Sequence, residues 1–273
     1  MKNNFKKNRK KILINIFSII LIGIFLSFGY SWFHSSDQAT NSFKGTQLLA
    51  EIDEVFSVNS SWKPHSSTVK EVRIRNTGEA TSFVRISLYE YLLTFQTDET
   101  DQTGNGDLKT SENKILPDAQ IDDMSTWNAA AKNHSTLTAG EKNYIVESAI
   151  VPDPIARIGM YEYKGIDREK TPLGYLTLNF SSSLIDVVPN QLQNKWVYEK
   201  GYFYYLSPLE PGKETEALLE SLSISAEYPN KYKGALYKLS VYMDAHDKTK
   251  VLKDDWDLDI NGMVYPLIKD QLE

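Results

Sequence analysis

The acidic stretch after Phe95 carries oxygen donors in the order that a calcium loop uses. Asp101, Thr103, Asn105, Gly106, Asp107, Leu108 and Glu112 stand at positions one, three, five, six, seven, eight and twelve of an EF-hand-like loop. In such a loop, side-chain and carbonyl oxygens surround the cation, the glycine makes the sharp turn, and the last carboxylate closes the shell. Calcium is the one cofactor this pattern suggests, held by Asp101, Thr103, Asn105, Asp107 and Glu112. The competing reading is a solvated insertion rich in turn formers, because flanking helices are not evident and position three is Thr.

Other chemistry finds little footing. The four histidines, His34, His65, His134 and His246, are far apart, and no His-Glu-x-x-His pair sets two imidazoles on one helical face. No Gly-x-Ser-x-Gly elbow occurs, cysteine is absent, and no glycine-rich loop is built to cradle phosphate. The expectation is a protein that is not an enzyme. Tyr202-Phe203-Tyr204-Tyr205 reads as strand core with cross-strand aromatic pairing rather than as a carbohydrate platform. Around Trp256, the acids Asp254, Asp255, Asp257 and Asp259 suggest a solvated loop or helix end.

The elements that would position these residues are mostly strands. In Glu71-Val72-Arg73-Ile74-Arg75, apolar and charged residues alternate, which is the period of a strand with one wet face. Asn76-Thr77-Gly78 then supplies turn chemistry, and Phe83–Phe95 resumes with Val84, Ile86 and Leu88 on one face and Arg85 and Ser87 on the other, as a hairpin partner for the preceding strand. Further strands are expected at Tyr144–Val151, Tyr175–Phe180, Trp196–Tyr205, Leu218–Tyr228 and Leu236–Ala245, with short helices at Ser125–Asn133 and Thr249–Trp256. Thr97–Asp123 lacks apolar periodicity and reads as a long exposed loop, and the prolines of Pro152–Pro172 mark a second connection. Many short strands with little helix predict an all-β, two-sheet sandwich, jelly-roll-like, with surface insertions.

Ahead of this region stands an export signal. Lys2, Lys6, Lys7, Arg9, Lys10 and Lys11 form a basic head, and Ile12–Phe28 is apolar over roughly 17 residues. Cleavage is expected between Ser31 and Trp32, with the bond after Gly29 as second choice; an uncleaved anchor is the alternative, since the run is near the lower limit for a span. Of 30 basic and 36 acidic residues, the six basic ones before Ile12 leave with the signal, so the mature chain carries a net charge of −12. That field disfavours nucleic acid and anionic lipid, leaving the signal segment as the only membrane contact expected. An exported chain without cysteine gains its stability from its core, from ions or from assembly, which suits a bacterial surface without disulfide machinery. The last residues, Ile268–Glu273, show neither a hydrophobic tail nor a Leu-Pro-x-Thr-Gly signal, so attachment is expected to be non-covalent or by polymer formation.

The exit from the signal, Ser31-Trp32-Phe33-His34-Ser35-Ser36-Asp37, followed by Thr40-Asn41-Ser42-Phe43, resembles the start of the camelysin/TasA family of exported biofilm-matrix proteins. Trp62–Lys70 leading into Val72-Arg73-Ile74-Arg75-Asn76-Thr77-Gly78, with Phe83-Val84-Arg85 opening the next strand, is similar to that family's turn, strand and hairpin. Trp196-Val197-Tyr198, Gly201–Tyr205 and Leu209–Thr215 are closest to its BsaA-type, pilus-forming branch. The chain departs from the pattern at His65, where the family favours Gly, and in a cleavage region without Ala.

The resemblance implies a jelly-roll-like sandwich whose N-terminal strand completes the sheet of the next subunit. It also implies processing by a SipW-type signal peptidase of a Gram-positive bacterium. Residues 1–31 would be the signal, 32–49 a donor arm anchored by Phe33, Phe43, Leu48 and Leu49, and 50–273 the sandwich with its acidic insertion at about 97–123. The expected partner is a second copy in a head-to-tail polymer, with related matrix subunits as further candidates, in the extracellular matrix or at the cell surface. Two alternatives stand beside it: the arm folds back into its own sheet, or the protein is a monomeric exported binding module for carbohydrate, cation or a host protein.

Overall fold

Strand β2, Ser82–Phe95, is the axis of the molecule: its sequence SFVRISLYEYLLTF is rich in β-branched and aromatic residues, and every one of its positions is buried. In the computed structural model the described residues are 64–100, 102–186 and 193–273. The signal, the cleavage bond at Ser31 and Trp32, the arm with Phe33, Phe43, Leu48 and Leu49, and Asp101 lie outside them.

Along one side of β2 runs β11, Leu236–Asp247, antiparallel over the whole length from Leu236 opposite Leu93 to Asp247 opposite Ser82. The other side is shared: β9, Tyr202–Tyr205, pairs at Arg85 and Ile86, and β5, Lys142–Ile150, pairs from Leu92 to Phe95. Beyond β9 lie β8, Trp196–Glu199, and β7, Leu184–Ile185, the latter parallel to β8. β5 also pairs with β3, Thr110–Ser111, on one side and with β4, Thr136–Ala139, on the other. A second sheet has the order β1, Ser67–Val72, then β10, Leu219–Ile224, then β6, Leu176–Phe180, all antiparallel. The fold is an all-β sandwich of two sheets with few short helices.

Side-chain alternation along β2 distributes it between three cores. Val84, Ile86, Leu88 and Leu92 face the smaller sheet and join Val72, Leu176, Leu178, Leu222 and Ile224 in the interior of the sandwich. Tyr89, Tyr91, Leu93 and Phe95 face the other way, toward Trp127, Ala130 and Leu137. Phe83 joins Val197, Tyr204, Leu252, Trp256, Leu258, Val264 and Ile268. The second face, which carries Arg85 and Ser87, is therefore covered, and both residues are buried.

Two expectations are corrected. β1 and β2 are not hairpin partners but lie in opposite sheets, because Val72 at the end of β1 and Ile74 just beyond it face Val84, Ile86 and Leu88 of β2 across the same core. The intervening turn is real: Asn76 is buried, its Nδ2 donates to the carbonyls of Ala80 (2.8 Å) and Leu209 (2.7 Å), and its Oδ1 accepts from Gly78 N–H (2.7 Å). Trp196–Tyr205, expected as one strand, is a hairpin, since Lys200 (φ 49°) and Gly201 (φ 88°) form a two-residue loop with both φ positive.

Both expected helices form, within Ser125–Asn133 and Thr249–Trp256, and a further short helix at Val264–Ile268 was not anticipated. Asp123 accepts from Ser125 N–H at 3.1 Å and opens the 3-10 turn Met124–Thr126, which runs into α1, Trp127–Asn133; His134 (φ 46°) ends it in the left-handed conformation. Near the C-terminus come α2, Leu252–Asp255, and α3, Val264–Ile268. No helix among the described residues is long and apolar enough to cross a membrane. Trp256, expected in a solvated segment, is buried: Leu252, Trp256 and Leu258 turn inward while Asp254, Asp255, Asp257 and Asp259 turn to solvent.

Candidate functional site

The loop singled out for calcium is a tight, pinned turn. Gly106 (φ 76°) lies so close to the 3-10 turn Asn230–Tyr232 that a Cβ there would stand 2.3 Å from the Asn230 carbonyl oxygen. Asn230 Nδ2 donates to the Gly104 carbonyl at 2.9 Å, and Asp107 pairs with Lys233 at 3.9 Å. Asn105 Oδ1 accepts from Asp107 N–H at 2.8 Å, its Nδ2 donates to the Asp107 carboxylate at 3.1 Å, and Asn105 N–H donates to Thr103 Oγ1 at 3.4 Å. The Asp107 carbonyl, the position-seven donor of the motif, accepts from Asp98 N–H at 2.7 Å. Glu112 follows β3, beyond the Thr97–Leu108 bridge that closes the loop. The structure thus brings Thr103, Asn105 and Asp107 together; among the described residues no group of three acidic or histidine side chains is gathered as for a metal.

The histidines are dispersed. His65 (φ 63°) is exposed and precedes β1, His134 caps α1, and His246 on β11 sits between Asp247 and Asp255. The left-handed backbone at His65 is a conformation that glycine adopts without cost. The aromatic run is core, as expected: Phe203 packs on Tyr198 (5.0 Å between centroids) and Phe180 (5.2 Å), and Tyr205 on Trp196 (5.0 Å).

The sheet edges are the places where another chain can add. The smaller sheet has three strands, and its outer face is a polar ladder in which Asn179 Nδ2 donates to Ser221 Oγ (2.9 Å) and Ser223 Oγ (2.5 Å). Its outer strand β6 alternates, with Leu176 and Leu178 buried toward the core and Thr177 exposed. Among the described residues no strand pairs with the second edge of β6. Its five residues are long enough to accept an added strand through backbone bonds.

One buried cluster was not anticipated. Glu90 lies on the core face of β2 and receives Arg168 Nε and Nη2 at 2.7 Å each and Tyr237 Oη at 2.9 Å, while Arg168 Nη1 donates to the Leu176 carbonyl. Burial and then the charge of Glu90 push the Tyr237 phenol well up, so it stays a donor. The signal was present in the alternation Val84, Ile86, Leu88, Glu90, Leu92: a carboxylate in a row of core residues needs a partner. That partner comes from the Arg168–Lys170 3-10 turn, which periodicity does not connect to β2. Comparison with protein-family models, with characterised proteins and with solved structures finds no match for this chain.

Proposed function

We propose that this chain is a secreted structural subunit of a bacterial surface or biofilm-matrix fibre, polymerised when the N-terminal arm Trp32–Leu49 of one copy adds to a sheet edge of the next. The observation that carries the reading is the unequal sandwich, whose three-stranded sheet ends in β6, a strand with an apolar inner side and no strand on its second edge among the described residues. An added strand there would extend the smaller sheet through backbone bonds, and alternate apolar residues such as Phe43 and Leu49 would supply inward anchors. The contact is heterologous, so it propagates into a fibre instead of closing into a dimer. A basic head, an apolar run and an arm that follows it in sequence make signal cleavage the trigger.

The test is electron microscopy with size-exclusion chromatography of Trp32–Glu273 beside Ala50–Glu273. Fibres or ladders from the first that vanish in the second, with the circular dichroism of a folded sheet protein retained, are expected. Identical compact monomers from both would remove the mechanism and leave a monomeric binding module in its place.

A further inference from the structure

Between Ile86, where β9 pairs, and Leu92, where β5 begins to pair, β2 has no strand on that side among the described residues. The gap is filled by the segment 151–163, which touches β2 through the Tyr89–Met160 bridge and through Tyr161 N–H donating to the Leu88 carbonyl at 2.8 Å. The segment is locally fixed. Asp153 and Ile158 exchange two backbone hydrogen bonds of 2.9 Å, and Asp153 Oδ1 accepts from the N–H groups of Ile155 and Ala156 at 3.0 Å each. Beside it opens a cavity of about 390 Å³, walled by Ile150, Val151, Pro152, Ile158, Met160 and Leu173. That volume and apolar lining fall in the range of preformed small-molecule sites.

Charge decides what the cavity prefers. Glu90 and Arg168 line it, but each neutralises the other. Asp167, also in the lining, pairs with Lys170 at 2.5 Å. Glu162 has no ion pair among the described residues. Its Oε2 would stand 3.0 Å from a Cβ on Gly165, so the glycine leaves room for this carboxylate at the wall of the cavity. Arg157, at the tip of the same segment, is not part of the lining. The segments that form the rim also carry exposed isoleucines, Ile155 (97%), Ile158 (64%) and Ile166 (71%), an unusual concentration of apolar surface outside a binding site.

We propose that this cavity binds a small organic cation with an apolar body, of the alkylammonium class, with the ammonium at Glu162 and the chain against Ile158 and Met160. An anion would meet the unbalanced Glu162, and the guanidinium that would attract it is already spent on Glu90. Because the walls are preformed, binding pays little ordering entropy. The site stands independently of the fibre reading, since it shares no residue with the arm or with β6.

Calorimetric titration of the full-length protein with n-hexylammonium chloride, beside hexan-1-ol and hexanoate as uncharged and anionic counterparts, tests it. Hexylammonium is expected to bind in preference to both, and Glu162→Gln and Ile158→Asn, both at accessible positions, are expected to weaken it by about five-fold or more with unchanged circular dichroism. Three results would overturn the proposal: equal or tighter binding of hexanol or hexanoate, no binding of hexylammonium, or hexylammonium binding that neither substitution alters. The last would mean diffuse adsorption to an acidic surface.

Discussion

The two ends of β2 bury the same outward face by different physics. Toward its C-terminal end, Tyr91, Leu93 and Phe95 meet α1 and β4, where Trp127, Ala130 and Leu137 are fully buried and the polar ties are neutral hydrogen bonds, among them Trp127 Nε1 donating to the Gln120 carbonyl at 2.7 Å, Gln120 N–H to Thr126 Oγ1 at 2.9 Å and Ile115 N–H to Thr136 Oγ1 at 3.0 Å. Toward its N-terminal end, β2 presents Arg85 to the C-terminal segment. The guanidinium donates to Asp244 at 2.9 and 3.1 Å and to the Trp256 carbonyl at 3.2 Å, and lies 4.1 Å from the Tyr202 ring centroid and 4.7 Å from that of Trp256. Glu199 adds a second directional contact, accepting from Met263 N–H (2.7 Å) and Val264 N–H (2.9 Å) at the start of α3. A cover close in sequence to its neighbouring strands is held by shape, apolar area and neutral hydrogen bonds. A cover that arrives at the end of the chain is held in register by charge, caps and cation–π contacts as well.

The sharpest break in this comparison is Trp127→Ala, which removes the largest fully buried side chain of the apolar end and should cost about 3–5 kcal/mol in urea unfolding. Arg85→Ala comes next. It strands Asp244, which is about a third exposed, so a cost of about 2–3 kcal/mol is expected, below the full penalty of a buried pair. Hydrogen exchange separates the two: loss of protection should centre on residues 252–268 for Arg85→Ala and on α1, β4 and β5 for Trp127→Ala, and identical exchange maps would dissolve the distinction. Glu199→Ala should lower stability by about 1 kcal/mol, with early exchange at Met263 and Val264.

The smallest effect is one of pH. Burial of His246 opposes its protonation, yet hydrogen bonds to the Asp247 carbonyl (3.0 Å) and the Asp255 carboxylate (2.8 Å), with both negative charges, outweigh it and raise the pKa above the usual value of 6.5. The charged ring ties β11 to α2. Its contribution is complete below the unfolded pKa near 6.5 and is lost as pH rises through the higher folded value. Exchange protection of Leu252–Trp256 should therefore fall as pH rises above 6.5, and Asp255→Asn should flatten the profile. A flat profile in the unaltered protein would show that the apolar contacts alone hold α2.

How much was legible follows from the range of each signal. The strands at β2, β5, β6, β10 and β11 announce themselves by local alternation, and α1 and α2 fall within the two segments expected to be helical. Arg85 and Trp256 mislead, because a long cation between Val84 and Ile86, or a tryptophan among four aspartates, looks like surface until the other is brought to it from 171 positions away. Asn76-Thr77-Gly78 announces a turn, but a turn alone does not say whether the next strand returns to the same sheet or crosses to the opposite one. Of the calcium pattern, Gly106 shows why a glycine is needed: the loop is pressed against Asn230.

The sequence by itself determined the local elements, the absence of thiol chemistry and the acidic charge, since each depends on residue identity or on spacing of a few positions. Only the tertiary structure decided that the second face of β2 is covered, that β1 and β2 lie in opposing sheets, that Glu90 and Arg168 meet, and that a cavity opens where β2 lacks a neighbouring strand. Those features arise from contacts between distant segments. They are fixed by which buried surfaces and charges find partners, and a period of two residues carries no record of that.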